Sequence, residues 1–463
     1  MKTDYKISSI EILSLKKVKS FNLNEDIYFE NVSIDSRKLT PNSLFVAVKG
    51  ENFDGHDFLS SAVNNGASGL IVNKNFVEEA TKFGVPVFAV KDTLIAFGEL
   101  AAIYRLKLKA KVIGITGSNG KTTTKDILSS ILANAGKVVH TEANNNNHIG
   151  VPLTIFNAGL DTDYLVLELG TNHFGEISYT AKIAQPDLGL ITLIGDSHLE
   201  YLKNRRGVLK EKRALLDVTA KRKGTVFINS EDALLSQIKD EFKKTVTFGF
   251  DEISDVKAKF LRLDAQARSL IKIESSKFKF ECTLPLLGEE NAKNFLAAIA
   301  VLTQCGIKKE DVISSVSKLK PPKGRLNLSV RGTTAIIDDT YNANPNSMKS
   351  AIKVINAFEL FNHKIAVLGD MFELGNEAEK AHKKLAKSLL KTNVEFVLLI
   401  GEKMKLLYQE LKPTKIKVVY FGERESLCLF LKELTTDNSV FLFKGSRGMK
   451  MEQFIPCLIV REN

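Results

Sequence analysis

A chain of 463 residues with 44% hydrophobic content is globular and too long for one hydrophobic core, so about three domains are expected. No apolar run reaches the roughly eighteen residues of a membrane helix, and the start Met1-Lys-Thr-Asp-Tyr-Lys-Ile-Ser-Ser-Ile10 lacks the apolar stretch of a secretory signal. A cytoplasmic protein with no membrane partner is expected. The net charge of +11 arises from lysines spread along the chain without a basic run interleaved with aromatics, as a solvated surface requires; if the charge has a function, small, highly anionic substrates explain it as well as a polynucleotide would. No nucleic-acid partner is expected.

Residues 1–108 open with short alternating strands, clearest at Asn31 to Ser36 and Ser43 to Val48, separated by the turn Thr40-Pro-Asn. A small α/β module is expected. Ser36-Arg37 and Lys49-Gly-Glu-Asn-Phe-Asp-Gly-His56 place Ser36, Arg37, Asp54, Gly55 and His56 in strand-end loops, where ligands commonly sit. Leu94 to Leu108 is expected to be a helix running into the next domain.

The stretch Val112-Ile-Gly-Ile-Thr-Gly-Ser-Asn-Gly-Lys-Thr-Thr-Thr124 is the strongest signal in the chain. A β-branched strand leads into Gly117-Ser118-Asn119-Gly120-Lys121-Thr122-Thr123, and apolar residues at helical spacing follow from Asp126 to Ala135. The glycines allow close approach of backbone to phosphate, Lys121 supplies a point charge, and the Thr122 hydroxyl is suited to a nucleotide-borne Mg²⁺. The pattern is the shorter G-x-x-G-K-T, because Ile115 stands where the longer phosphate-loop motif has its first glycine.

Beyond the cradle, strands at Val138 to Thr141, Tyr164 to Leu169 and Leu188 to Leu193 alternate with helices, which predicts a doubly wound, P-loop ATPase-like domain over 109–322. Their ends carry Asn144 to His148, Glu168 and His198. A carboxylate buried beside a polyphosphate site is costly unless a cation pairs it, which makes Glu168 a natural Mg²⁺ ligand. A helix from Gly207 to Leu216 carries Lys210, Lys212 and Arg213. Residues 256–284 change to an alternating antiparallel meander, and the helix Asn291 to Cys305 sets Asn291 and Asn294 on one face. The four cysteines are widely spaced within apolar segments and are expected to be buried free thiols.

Lys318-Leu-Lys-Pro-Pro-Lys-Gly-Arg325 is the second expected boundary, and a Rossmann-like α/β domain is expected over 323–463. Its strand ends hold Asp338-Asp-Thr-Tyr-Asn-Ala-Asn-Pro-Asn-Ser347, Gly369-Asp-Met-Phe-Glu-Leu-Gly375 and Lys444-Gly-Ser-Arg-Gly448.

Together with Asn-Asn-His-Ile-Gly-Val-Pro152, Asp35-Ser-Arg-Lys and Phe53-Asp-Gly-His-Asp-Phe58, these motifs resemble the Mur ligases of peptidoglycan synthesis along nearly the whole chain. The C-terminal motifs resemble the branch that takes D-alanyl-D-alanine. The resemblance implies a uridine-binding N-terminal domain, an ATP-binding central domain and a C-terminal domain that closes over both and brings the dipeptide. It implies ATP contacts from the cradle, adenine contacts from Asn291 and Asn294, and phosphate and ribose contacts from Arg325 and Asp339. Glu168 and His198 belong to the metal region. Lys212, fourteen residues after His198, matches a position where the family can carry a CO₂-carbamylated lysine. Ser36, Arg37, Asp54, Gly55, His56, Asn147, Asn342, Asn344, Lys444, Ser446 and Arg447 are the implied substrate-binding set. Glu290 stands where many members have histidine, and Leu202-Lys-Asn-Arg-Arg206 replaces a stretch usually made of small residues.

The implied reaction joins D-alanyl-D-alanine to a UDP-N-acetylmuramoyl-tripeptide in two steps, by phosphorylation of the tripeptide carboxylate and amine attack on the acyl phosphate. ATP and Mg²⁺ are the implied cofactors, and a monomer is expected. A sister ligase, such as a folylpolyglutamate synthase, shares the cradle but not the C-terminal motifs. A nucleic-acid-dependent ATPase would show polynucleotide-stimulated hydrolysis instead.

Overall fold

The computed structural model describes residues 6–50, 52–434 and 437–458; Glu51 of the expected N-terminal ligand loop lies outside them. Mixed α/β architecture is built on three principal sheets. The N-terminal one has five strands in the order Lys19–Phe21, Val87–Val90, Ala67–Asn73, Ser43–Val46, Asn31–Ser33, parallel except for the first.

The central sheet has nine strands. Lys111–Thr116 lies inside it between Leu188–Ile191 and Tyr164–Glu168, all three parallel and buried almost throughout, as their near-continuous apolar sequences require. Register then decides what meets at the edge. Glu168 pairs with Ile115 and Ile191 with Thr116, so the cradle, the loop after Glu168 and the loop toward His198 leave the sheet side by side. The expected meander is present as Val256–Leu263, Arg268–Glu274 and Lys279–Leu287, but it continues the same sheet through a parallel pairing of Val256–Leu263 with Thr245–Gly249.

Helices cover both faces. Lys121–Leu132 packs Ile127, Leu128 and Ile131 against Phe295, Leu296 and Ile299 of Glu289–Leu302 on one face. On the other, Thr93–Arg105 links the N-terminal and central sheets into one core in which Phe29 and Phe97 are continuous with Val112, Leu165 and Ile177. Polar anchors fix that helix: Tyr104 donates to the carbonyl of Ala158 at 2.6 Å, and buried Arg105 reaches the Ala184 carbonyl at 3.0 Å and the Asp187 carboxylate at 3.1 Å.

The C-terminal sheet runs Asn327–Arg331, Thr334–Asp339, Ser439–Lys444, His363–Gly369, Phe396–Ile400, Lys417–Phe421, parallel except at its first strand. Asp339 and Lys444 are register partners at adjacent strand ends, which sets up an ion pair there.

One expectation is corrected. Cys282 and Cys305 are free, but Cys428 and Cys457 form a disulfide across 29 residues, with Cα atoms 5.3 Å apart. The 3₁₀ segment Met451–Cys457 folds back on the helix Arg424–Glu433, a tertiary contact that the wide spacing in sequence does not signal. Among the described residues, no helix is long and apolar enough to cross a membrane.

Candidate active site

The cradle is built by two glycines in left-handed conformations. Gly117 has φ +152° and Gly120 φ +83°; a Cβ on Gly120 would lie 2.1 Å from the Asn294 side-chain oxygen. Gly120 precedes the helix Lys121–Leu132 and gives it no side-chain cap, so the first helical N–H groups remain available to an anion. Lys121 folds back over the loop, its Nζ donating to the Gly117 carbonyl at 2.9 Å. Burial lowers the pKa of this ammonium, Glu168 opposes the shift and Arg325 adds to it. Ser118 Oγ accepts from the backbone N–H of Gly195 at 2.9 Å, tying the loop to the strand end that leads to His198.

Glu168 is 2% exposed. Its Oε1 accepts from Asn146 Nδ2 at 2.9 Å, while its Oε2 is buried with no hydrogen-bond partner. A buried carboxylate oxygen left this way costs free energy unless something cationic meets it. Lys212 is fully buried on Arg205–Lys221, and its pKa is driven well down by burial and by the Lys121 charge, against the pull of Glu211 and Glu168. Lys210 is exposed and packs over the Phe174 ring at 5.8 Å. His198 has left-handed backbone (φ +52°), and its Nδ1 lies 2.9 Å from Glu373 Oε2 of the C-terminal unit. Among the described residues, no three His, Cys, Asp or Glu side chains cluster as a metal cage. Of the cavity lining, Thr122 and Glu168 offer oxygen ligands to a cation.

The opposite wall comes from the C-terminal unit. Arg325 stacks on Tyr341 at 4.3 Å and donates from Nη2 to the Thr122 hydroxyl at 3.1 Å. Asn344 Nδ2 donates to Asn119 Oδ1 at 2.7 Å. Lys444 is buried, 2.6 Å from Asp339 Oδ2 and 3.0 Å from the Asn342 carbonyl. Burial raises the Asp339 pKa, and Lys444 restrains the rise. Asn294 Nδ2 donates to Asn291 Oδ1 at 3.2 Å, and Asn291 Nδ2 to the Leu287 carbonyl at 2.9 Å, so the shared helix face becomes a supported pair with Asn294 foremost.

These groups line one cavity of about 570 Å³ between the two units. Of the expected residues it takes in Ser118 to Thr123, Glu168, His198, Asn291, Asn294, Arg325 and Asp339, together with Asn342, Asn344, Lys444, Ser446 and Arg447. Lys212 lies behind this wall. Asn146, Tyr341, Phe372 and Glu373 also line it; all four stand inside motifs that sequence reasoning quoted without choosing those residues.

Gly117 also lies off the cavity, as do six residues of the expected substrate-binding set. Asn147 spends its side-chain oxygen on the N–H groups of Ile149 and Gly150, at 3.1 and 2.9 Å, and starts the helix Gly150–Phe156 while its neighbour Asn146 faces Glu168. In the N-terminal unit, buried His56 has both ring nitrogens engaged. Nδ1 lies 2.6 Å from Asp54 Oδ1, and Nε2 accepts from Asn73 N–H at 2.9 Å; the ring therefore holds the loop in place. Gly55 is needed for space, since a Cβ would meet the Val48 nitrogen at 2.7 Å. Ser36 is buried, while the guanidinium of exposed Arg37 donates to both carboxylate oxygens of Asp35 and, by hydrogen bonding, holds that carboxyl down to about 2. Ser36, Arg37 and Asp54 to His56 all lie outside the cavity lining.

Comparison with known proteins places this arrangement. The Mur ligase family catalytic domain matches residues 28–105, the Mur ligase middle domain 115–302, and the Mur ligase glutamate ligase domain 324–447. The chain is 35% identical over 461 residues to the UDP-N-acetylmuramoyl-tripeptide--D-alanyl-D-alanine ligase of Haemophilus influenzae, covering 97% of this chain and 98% of that one. The chain belongs to the Mur ligase family. Its fold overlays that of MurF from Acinetobacter baumannii with a TM-score of 0.89 at 30% identity, covering 99% of both chains. The Thermotoga maritima MurF ligase, solved in complex with ADP, gives 0.81 at 27% identity over 92% of this chain and 96% of that one. Within the Mur ligase fold, the cavity described above lies where the middle and glutamate ligase domains meet.

Proposed function

We propose that this Mur ligase joins D-alanyl-D-alanine to a UDP-N-acetylmuramoyl-tripeptide at the expense of ATP, releasing ADP and phosphate. The observation that carries the reading is the contact of Arg325 with Thr122, because it brings a second cationic wall onto the phosphate cradle from another sheet. The near-full-length similarity to ligases bearing that name supports the substrate pair. Residues 1–108, 109–322 and 323–463 act as the uridine, ATP and closing domains. The N-terminal patch around Ser36, Arg37 and Asp54–His56 is the uridine-side contact, and the enzyme works as a cytoplasmic monomer.

A carboxylate is a poor electrophile because its leaving group would be oxide. Transfer of phosphoryl to one of its oxygens removes that obstacle, and attack by the dipeptide amine then forms the amide and expels phosphate. Lys121 and Arg325 hold the phosphates in line and balance charge as it spreads over the transferred group. Asn291 and Asn294 receive the base, and Asp339 the ribose. Asn342, Asn344, Ser446 and Arg447 orient the incoming dipeptide, while Lys444 fixes Asp339. Closure of the C-terminal wall excludes water, which would otherwise hydrolyse the acyl phosphate.

The donor set fits Mg²⁺. Thr122 offers a hydroxyl, buried Glu168 an oxygen without a partner, and both face the cavity as hard ligands. When bound, the ion offsets phosphate charge. An unmodified Lys212 ammonium would repel it. Burial and the Lys121 charge both lower the pKa of this amine; as the free amine it would add to CO₂, its lone pair forming an N–C bond as one C=O π pair moves onto oxygen, one amine proton leaving, and the side chain becoming an anionic oxygen donor. His198 completes the metal side.

Release of ADP tests the assignment. It is expected only when UDP-linked tripeptide and dipeptide are both present, with no stimulation by polynucleotide; release driven by polynucleotide alone contradicts it. The cradle geometry gives a second expected result. Gly120→Ala forces a side chain into the left-handed region, at a cost of about 1–2 kcal/mol, and displaces Asn294, so ADP affinity by calorimetry should fall about tenfold or more. Unchanged affinity would remove Gly120 and Asn294 from the nucleotide site.

A further inference from the structure

Glu211 precedes Lys212 on Arg205–Lys221 and is 3% exposed, yet it does not line the cavity and is not used in the chemistry above. Its carboxylate accepts the Gly175 N–H at 2.6 Å on Oε2 and the Ile177 N–H at 2.7 Å on Oε1, and the Thr171 hydroxyl lies 3.2 Å away. Glu176–Ala184 receives no cap from its own Gly175; its first N–H groups are closed by a carboxylate from a neighbouring helix. A negative group at a helix start is favourable, and hydrogen bonds to a charged acceptor are stronger than neutral ones.

The closed loop is the one that leaves Glu168. On the sheet side it is pinned where Thr116 Oγ1 donates to the Leu169 carbonyl at 2.8 Å and the Gly170 N–H to the Asn146 carbonyl at 2.8 Å. On the other side Glu211 hydrogen-bonds it to the lysine helix, where Lys210 also packs over Phe174 at 5.8 Å. Consecutive helical residues diverge in direction, so Glu211 can grip the loop while Lys212, one residue on, is buried within the fields of Lys121 and Glu168.

We propose that Glu211 is a positioning residue that fixes Lys212 against Glu168 by clamping the lysine helix onto the Glu168 loop. The inference rests on the ligase reading of the metal side. Outer partners of this kind typically control metal affinity about 10–100-fold, because a ligand set displaced as a unit no longer converges.

The test counts Mn²⁺ bound together with ADP by electron paramagnetic resonance on the full-length enzyme, with a thermal melt for each variant. Glu211→Gln keeps the shape but loses one acceptor oxygen, and Mn²⁺ affinity should fall about tenfold or more. Glu176→Gln is the control. Glu176 accepts the Asn172 N–H at 2.7 Å and lies 3.2 Å from His173 Nδ1, both within the same loop, and its variant should stay within about twofold of wild type. If Glu211→Gln does not fold, Glu211→Asp, which keeps the charge with a shorter reach, is judged by the same criterion. Wild-type affinity in the Glu211 variant, or equal losses in both variants, would overturn the clamp and leave the ligase reading intact. Failure of the wild type to take up Mn²⁺ with ADP would instead overturn the metal reading itself.

Discussion

Lys121→Ala should reduce ligation about a thousandfold or more, the scale seen when a preorganised charge on a transferring phosphoryl group is removed. The melt should move little, for two opposing reasons. The Gly117 carbonyl loses its 2.9 Å partner, which costs on the order of 1 kcal/mol, but a desolvated ammonium is removed from beside Arg325. The net change in melting temperature should be a few degrees at most. Steady-state ADP release and a calorimetric scan on the same preparation check both halves. A fully active variant would mean that the cradle does not hold phosphate.

Lys212→Ala should lose most activity, and short carboxylic acids added to the assay should restore part of it by occupying the vacated anionic position. Loss of an anionic ligand is the reason for the large effect. Lys212 is buried within the field of Lys121, where a second fixed positive charge is unfavourable, while a carbamate would reverse the sign beside the unpartnered Glu168 oxygen. Lys210→Ala should lose little, since that side chain is exposed over Phe174. Full activity of Lys212→Ala without added acid, or the larger loss at Lys210, would refute the carbamate.

The sequence carried the central motifs because their signals are local. A β-branched strand, a glycine-rich turn and a helix at 3.6-residue spacing stand within about twenty residues, and the structure has Lys111–Thr116, the turn and Lys121–Leu132 in that order. Strand ends also told which polar residues would share an edge, because a parallel sheet brings them there through its register. What was not legible depended on distant partners. Asn146 and Asn147 are adjacent and chemically identical, and only the helix start at Gly150 decides which becomes a cap and which reaches Glu168. His56 looked free to meet a ligand until Asp54 and Asn73 took both its nitrogens. Thr225–Asn229 and Thr245–Gly249 are five-residue strands between the helix Arg205–Lys221 and the meander, and only their parallel pairing shows that the meander extends the central sheet. The pairing of Cys428 with Cys457 likewise depends on a C-terminal turn packing back on a helix.

Activation of the tripeptide carboxylate by phosphorylation is the central claim, and oxygen-18 placed in that carboxylate tests it most directly. One labelled oxygen should leave in the released phosphate and the other remain in the new amide, as analysed by mass spectrometry of both products. Label confined to unreacted substrate and amide, with none in phosphate, would contradict an acyl-phosphate route.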